Sequence, residues 1–339
     1  MLSTLLLVCC VSGLQPGQPP VTDRIDGARR MPAEWEPQEA VWLQWPQSWE
    51  GQRIEAAFTN IVAGIAEFED VVVVVNTSGL ELDAREALAE VDPDRLRFEV
   101  IPNDSSWMRD NGPRYVEVDG QSVLQNWGFD GWGGGFGSVP YDKDNAVPDA
   151  VGGLLGLHVE QVALVHERGD LEVNGLDTAM VNWSVVGQRN PQLSRDEAVA
   201  AFEQALGVSS VIVVEGFDPR DGTRGHIDGM ARFVAQDTVL VGDDGGALMD
   251  SVAEQIAEQR PDLKLLRLEA RDAAMLLNFL VGDGFVLVGD SRDEAQNALA
   301  KSTYEELFPG REVRFVNVDA LWSNGGGVHC VTNDQPVAP

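Results

Sequence analysis

Apolar and polar positions along the chain repeat one order: an apolar strand or hairpin, an amphipathic helix and a second apolar strand. In the clearest copy, Ala231–Val241 reads as two short strands around a polar turn, Ala247–Gln259 has a helical period and Leu263–Leu268 is a strand. The next copy has a hairpin, a helix and a strand in the same order: Asn278–Val288, Arg292–Leu307 and Val313–Val318. These patterns predict two supersecondary units of one type.

Three looser copies lie upstream. Their predicted elements are Ala40–Leu43, Ile54–Phe68 and Val71–Val75; Tyr115–Asn126 and Val159–Val165; and Thr178–Val181, Ser194–Leu206 and Val211–Val214. Ser194 is of a residue type preferred as a helix N-cap. Five units of roughly 40–50 residues favour a propeller-like or solenoid array. An ordinary doubly wound α/β sheet has the same periodicity and stays open as an alternative.

Size and charge narrow the class of protein. The chain has 339 residues, of which 44% are hydrophobic, enough for one large or two ordinary domains. It has no internal apolar run long enough to predict a membrane span. The formal net charge of -31 argues against nucleic acid and anionic lipid as partners and favours a cationic small molecule. A solvated coat suited to salty surroundings explains the charge equally well, and a homo-oligomer stays open.

The N-terminus has the composition of an export signal. Met1–Leu14 is typical of a signal-peptide apolar region, although it lacks a positive start, and Gln15–Pro20 is a Gln/Pro/Gly-rich spacer. Cys9 and Cys10 lack the small preceding residue of a bacterial lipidation site. We therefore predict a leader and linker over 1–30 and one catalytic domain over 31–339. The predicted location is periplasmic or secreted, or cytoplasmic if the leader is not functional.

Beyond the leader, Cys330 is the single cysteine, so neither an internal disulfide nor a multi-cysteine zinc site is available to it. A lone cysteine is most often a small buried hydrophobe. Five segments are rich in Gly, Trp and ionisable residues: Asn103–Pro113, Trp127–Gly134, His166–Asp170, Gly225–Asp228 and Gly325–Cys330. Each segment alone is weak evidence for a functional site, since an Asp in a turn usually forms hydrogen bonds with its own backbone. Gly325–Gly327 matches neither a P-loop nor a dinucleotide fingerprint.

Taken together, these segments resemble the agmatine deiminases and the related bacterial-type peptidyl-arginine deiminases. The resemblance begins at Met31–Pro37, continues through Asn103–Pro113 and Trp127–Phe129, and ends at Gly325–Thr332. It spans nearly the whole chain after the leader. It implies an α/β fold that is a five-bladed, pseudo-symmetric propeller of ββαβ units around a central site, which agrees with the five units counted above.

The resemblance also implies roles for individual residues. Cys330 matches the nucleophile and His226 the general acid/base. Asp110 matches a guanidinium-binding aspartate, and Asp228 a second carboxylate at the catalytic site. Glu167 matches a glutamate that orients the histidine.

Three further positions follow from the same comparison. Asn278 matches an asparagine near the site, and Trp107 belongs to the substrate-binding segment. Arg168 departs from the family pattern, which has Gly there, whereas Gly169 is retained, and the effect of this bulky cation on the pocket stays open. Without the resemblance, the acidic residues read as turn caps or solvated charges. His226 and His329 then read as structural histidines.

The implied chemistry needs these residue types. A guanidinium is a planar cation that carboxylates bind bidentately, and its poorly electrophilic carbon requires a thiolate for attack. A histidine then protonates the departing ammonia and deprotonates the hydrolytic water. The predicted mechanism is covalent and needs neither a metal nor another cofactor.

The resemblance favours agmatine as substrate, with N-carbamoylputrescine and ammonia as products. A secreted peptidyl-arginine deiminase and a non-catalytic guanidine-binding protein are the alternatives. The segment Trp127–Gly134 resembles the agmatine branch and has no arginine to bind a peptide carboxylate. A pocket for agmatine also needs an acceptor for the second cation, for which Asp130, Asp218 and Asp221 are candidates.

Overall fold

The computed structural model describes residues 21–50 and 52–339, without the side chains of residues 48, 52 and 53. The predicted leader, the spacer over 15–20 and the cysteines at positions 9 and 10 lie outside the described residues. Within the described ranges, none of the helices has the length and apolar character needed to cross a bilayer.

Strands and helices alternate along the described chain. The strands are β1 (Val21–Thr22), β2 (Arg29–Arg30), β3 (Gln38–Gln44), β4 (Val71–Val75), β5 (Leu96–Val100), β6 (Arg114–Val118), β7 (Gln121–Gly128), β8 (Val159–Val165), β9 (Glu172–Val173), β10 (Thr178–Asn182), β11 (Ser210–Val214), β12 (Ala231–Ala235), β13 (Thr238–Asp243), β14 (Lys264–Glu269), β15 (Leu280–Gly282), β16 (Phe285–Gly289), β17 (Glu312–Val316) and β18 (Thr332–Pro336). The helices are α1 (Gln52–Ala66), α2 (Ser78–Ala87), α3 (Met108–Asn111), α4 (Val147–Leu155), α5 (Trp183–Arg189), α6 (Arg195–Leu206), α7 (Ala247–Gln259), α8 (Ala273–Leu277), α9 (Glu294–Leu307), α10 (Asp319–Trp322) and α11 (Val328–Val331).

The strands form five sheets, whose orders are β18-β3-β4-β5, β1-β8-β7-β6-β2, β11-β10-β9, β12-β13-β14 and β15-β16-β17. Each sheet contains an antiparallel pair, such as β12 and β13, whose second strand pairs in parallel with a strand reached through a helix, such as β14 through α7. The pattern recurs in the other four sheets. The fold is therefore α/β and contains five ββαβ units, which excludes a single doubly wound sheet.

Most predicted elements are confirmed to within a few residues, among them α7 and β8 at both ends. Asn278 was predicted to begin a strand, but it caps the C-terminus of α8 and precedes β15. Strands β1 and β2, which precede Met31, pair with β8 and β6.

Strand β18 was not predicted. It pairs antiparallel with β3 and supplies the first strand of the unit that contains β3, α1 and β4. Residues close to both ends of the described chain thus share one sheet.

The five-valine strand β4 illustrates the packing. Val71, Val73 and Val75 pack with α1 in one apolar cluster, whereas Val72 and Val74 join a second cluster on the opposite face. A strand buried on both faces is apolar at every position, which is typical of parallel sheets. In α1, a Cβ on Gly64 would lie 3.0 Å from the Leu287 side chain in β16, so this glycine allows α1 to approach the neighbouring sheet closely.

The segments that connect successive units carry the candidate site residues. Asp110 lies between β5 and β6, Glu167 between β8 and β9, and Asn278 between β14 and β15. His226 and Asp228 lie between β11 and β12, and Cys330 lies between β17 and β18. Each connection between units therefore contributes at least one candidate side chain.

Candidate active site

Cys330 lies in the four-residue helix α11 and is 9% exposed. Its Sγ accepts a hydrogen bond from Nδ2 of Asn278 at 3.1 Å and lies 3.8 Å from Oδ2 of Asp228. Burial, followed by the charges of Asp228 and Asp110, raises the pKa of the Cys330 thiol well above its usual value. In the site without substrate, Cys330 is therefore a neutral thiol.

Asn278 fixes the position of Cys330. Its Oδ1 accepts hydrogen bonds from the backbone N–H groups of His329 at 3.1 Å and Cys330 at 3.4 Å, while Nδ2 also donates to Asp228 Oδ2 at 3.1 Å. A Cβ on Gly327 would lie 2.6 Å from Asn278 Oδ1, and one on Gly326 would lie 2.9 Å from Cys330 Sγ. Close approach of side chains therefore explains two of the three consecutive glycines.

His226 lies between two carboxylates. Its Nδ1 is 3.6 Å from Oδ1 of Asp110 and its Nε2 is 3.8 Å from Oε2 of Glu167, beyond hydrogen-bond distance in both cases. Burial acts to lower the pKa of His226, but Asp110, Glu167 and Asp228 outweigh it and raise that pKa to about 10. The imidazole is therefore protonated at neutral pH and can act as a general acid.

Asp110, in α3, accepts a hydrogen bond from Trp132 Nε1 at 2.8 Å through Oδ2 and one from the Gly169 N–H at 3.2 Å through Oδ1. A Cβ on Gly169 would lie 2.7 Å from Asp110 Oδ1 and 2.6 Å from Nδ1 of His226, so this position requires glycine. Burial raises the pKa of Asp110 to about 6, although the His226 charge opposes the shift. A bound cation would favour its ionised form.

The segment that brings Trp132 to Asp110 has several residues in the left-handed backbone conformation. Trp132 itself has φ 59°, and Gly131, Gly133 and Gly134 are also left-handed. A positive φ is unfavourable for a tryptophan, and such strain often occurs at functional sites. The glycines allow the segment to turn tightly enough to direct the indole N–H at the carboxylate.

His329 contacts Asp228 and fixes its orientation. Oδ2 of Asp228 lies 2.7 Å from His329 Nδ1, and His329 Nε2 lies 2.8 Å from Oε2 of Glu34. Burial acts to raise the pKa of Asp228, but His329 more than offsets it and the pKa is lowered. Glu34 also pairs with Arg109 at 3.2 Å and Arg232 at 3.0 Å, which gives the opening segment Met31–Pro37 a structural role behind the site.

Glu167 is fully buried, and its Oε1 accepts a hydrogen bond from Nε of Arg189 at 2.9 Å. Burial acts to raise the pKa of Glu167, but Arg189 and His226 hold it well below the usual range. Arg168 donates to both carboxylate oxygens of Asp334 at 2.8 Å. Its guanidinium is therefore directed at β18 and does not line the cavity.

The reactive groups open into a cavity of about 210 Å³. It is lined by Trp49, Glu50, Ile54, Trp107, Asp110, Trp132, Phe136, Val139, Thr223, His226, Asn324, Gly325 and Cys330. Trp107 therefore lies in the wall. Within the described ranges, no group of three or more His, Cys, Asp or Glu side chains is arranged to hold a metal ion.

The three acids proposed for a second cation do not line this cavity. Asp130 accepts from the Gly133 N–H at 2.7 Å, Asp218 pairs with the exposed Arg220, and Asp221 accepts from the Thr223 and Gly225 N–H groups. Each of them stabilises its own loop. Besides Asp110, the carboxylate that lines the described wall is Glu50, which stands in none of the motifs selected from the sequence.

The sequence analysis also missed two other residues that contribute to the candidate active site. Trp132 stands in a segment recognised as unusual, but no pattern relates its indole to Asp110. Arg189 is at the end of an ordinary helix, α5, and only the folded chain brings it to Glu167. Each contact joins a residue inside one unit to the connection that precedes that unit, 22 positions earlier in the chain, and no local sequence pattern predicts it.

Comparisons with known proteins agree with this geometry. The sequence profile of the Porphyromonas-type peptidyl-arginine deiminases matches residues 30–336. The agmatine deiminase of Pseudomonas aeruginosa strain LESB58 is 30% identical over 94% of this chain and 98% of the relative, and that of Ectopseudomonas mendocina is 29% identical over 93% and 97%. The solved structure of the Enterococcus faecalis agmatine deiminase aligns with a TM-score of 0.82 at 27% identity, over 92% of this chain and 99% of that one.

Proposed function

The chain belongs to the Porphyromonas-type peptidyl-arginine deiminase family, and we propose that it hydrolyses agmatine to N-carbamoylputrescine and ammonia through a covalent adduct on Cys330. One observation carries the proposal. A cysteine, a protonated histidine and two aspartates, from three different connections between units, meet in one buried site. The agmatine deiminases named above support agmatine as the substrate.

Substrate binding prepares the nucleophile. A guanidinium held by Asp110 and Asp228 brings a positive charge to the carboxylates that raise the pKa of the Cys330 thiol. The thiol then loses its proton to solvent, and the thiolate attacks the central guanidinium carbon. The two aspartates fix the plane of the guanidinium for this attack, and the new S–C bond makes its central carbon tetrahedral.

His226 moves the protons in both halves of the reaction. As an imidazolium it protonates the departing nitrogen, the C–N bond breaks, and ammonia leaves a thiouronium adduct. The neutral imidazole then takes a proton from water, which attacks the same carbon. When the C–S bond breaks, Cys330 regains its thiolate and the ureido product leaves. Glu167, itself paired with Arg189, stabilises the charged form of His226.

We also propose that the five ββαβ units are the blades of a five-bladed propeller with the site at its centre. The supporting observation is that each connection between units contributes at least one side chain to the site. The single domain over 31–339 and the roles of Asn278 and Trp107 are part of the same proposal.

A peptidyl-arginine deiminase is the second candidate, since the family carries that name. The cavity wall favours agmatine over this alternative, because it contains Glu50 and aromatic rings, and its described residues include no arginine for a peptide carboxylate. A non-catalytic guanidine-binding protein would not need a cysteine and a protonated histidine in the wall of one cavity.

One side-by-side assay separates the three candidates. Ammonia and ureido product are measured with agmatine, free arginine and a neutral-capped arginyl peptide. We expect steady turnover of agmatine and far lower kcat/KM for the other two. Equal kcat/KM for the peptide would favour the peptidyl enzyme, and tight agmatine binding without turnover would favour the binding protein.

A further inference from the structure

The cavity wall holds one carboxylate that the reaction does not use. Glu50 ends the 3-10 turn Ser48–Glu50, ahead of α1, and lines the same cavity as Asp110, His226 and Cys330. Among the described residues of this wall, Asp110 and Glu50 are the acidic ones. Asp110 acts on the guanidinium, which leaves Glu50 for another part of the ligand.

Glu50 is held in a fixed orientation. Its Oε1 accepts hydrogen bonds from the N–H of Ser106 at 3.2 Å and from its hydroxyl at 2.8 Å, and Oε2 accepts from the Gln47 N–H at 2.8 Å. Ser106 stands four positions before Asp110, in the segment that also contains Trp107. The two carboxylates therefore belong to one rigid wall.

The charge of Glu50 lacks a partner among the described side chains, because all three donors are neutral and no described basic group lies within ion-pair distance. Burial raises the pKa of this carboxyl, so its ionised form is under-compensated in the site without substrate. A cation that enters the cavity would relieve that cost.

Aromatic rings line the same cavity as this carboxylate. Trp49 is 56% exposed at the cavity, and Trp107 lies in the wall 6.4 Å from Trp132, ring centre to ring centre. Ring faces attract ammonium groups, and a carboxylate beside them gives such a group a counter-charge. The same surroundings are unfavourable for a carboxylate on the ligand.

We propose that Glu50 binds the ammonium group at the far end of the substrate and so selects guanidines that carry a second cation. The inference rests on the proposed function and adds to it the residue that distinguishes agmatine from arginine. Free arginine would bring its carboxylate towards Glu50 and the surrounding rings, and a peptide would bring neutral amides.

The test compares agmatine with n-pentylguanidine, in which a methyl group replaces the ammonium. Glu50→Gln should lower kcat/KM for agmatine by about tenfold or more, because a charge-assisted contact is lost, and should leave n-pentylguanidine within about twofold. The glutamine keeps an oxygen that can accept from Ser106. Asp218→Asn is the matched control, since it removes one negative charge from an exposed loop and should alter neither substrate.

A second variant keeps the inference testable if Glu50→Gln fails to fold. Glu50→Asp withdraws the carboxylate by one methylene, so the preferred substrate should become 5-aminopentylguanidine, one methylene longer than agmatine. Equal losses for agmatine and n-pentylguanidine in Glu50→Gln, or an unchanged length preference in Glu50→Asp, would overturn the role of Glu50. If the wild-type protein turns over none of these guanidines, the proposed function fails instead.

Discussion

Asp110 and His226 are buried ionisable groups whose charges set the pH range in which the site accepts a cationic substrate. The pKa of Asp110 is raised to about 6 by burial, and the pKa of His226 to about 10 by the surrounding carboxylates in spite of burial. Asp110 must be ionised to bind the guanidinium and His226 must be protonated to release ammonia. We therefore expect kcat/KM to fall below pH about 6 and above pH about 10.

Trp132→Phe tests the lower of these limits. The substitution removes the N–H that donates to Asp110 at 2.8 Å, so the ionised carboxylate is less stable and its pKa rises. The acidic limb of the kcat/KM profile should move to higher pH, by up to about one unit. Trp107→Phe removes an indole from the same wall and should leave the limb in place. An unmoved limb in Trp132→Phe would show that Asp110 does not control it.

Among single residues, those that stand in motifs could be predicted from the sequence. Those that act through tertiary contacts could not. Cys330, His226, Asp110 and Asp228 each stand in a short recognisable segment. Glu50 and Arg189 stand in no such segment, and their positions beside the cavity and beside Glu167 depend on how separate units pack.

Among the elements, α6 was predictable because its determinants are local. Ser194 accepts a hydrogen bond from the Glu197 N–H at 3.3 Å, and the Glu197 carboxylate accepts from the Ser194 N–H at 2.9 Å, which forms a capping box. Strand β18 lacks such determinants, since Thr332–Pro336 is polar and contains proline. It forms a strand because it pairs antiparallel with β3, and no local sequence pattern predicts that pairing.

Ser194→Ala isolates the local contribution of the cap. It should lower the free energy of unfolding by about 1 kcal/mol, as measured by urea denaturation. The kcat for agmatine should be unchanged, because α6 supplies no side chain to the cavity. Loss of activity without loss of stability would mean that α6 influences the site in a way that these contacts do not explain.

In the whole molecule, the five units were predictable from hydrophobic periodicity, whereas the contacts between them were not. Glu69 makes one such contact between units. It follows α1 in the first unit, and its Oε2 accepts from the N–H of Asp283 in the β15–β16 turn at 3.3 Å. Burial raises the pKa of Glu69 to about 8. Nothing in the sequence distinguishes this acid from the exposed Glu67 nearby.

Glu69→Gln tests the contact through the pH dependence of stability. Because the pKa of Glu69 is higher in the folded state, the folded protein loses stability as pH rises from about 4.5 towards 8. Glu69→Gln should therefore raise Tm at pH 8–9 and have little effect near pH 4.5. Glu67→Gln, in which an exposed partner of Arg314 is neutralised, controls for net charge. A Tm difference independent of pH would contradict the assignment.

The central claim is a covalent bond between Cys330 and the substrate carbon. The direct measurement is intact-protein and peptide mass spectrometry of samples acid-quenched during agmatine turnover. We expect one adduct per chain, equal in mass to agmatine less ammonia, located on Cys330 and absent from Cys330→Ala, which should also have no turnover. Turnover by Cys330→Ala within tenfold of the wild-type rate, or an adduct on another residue, would contradict the account.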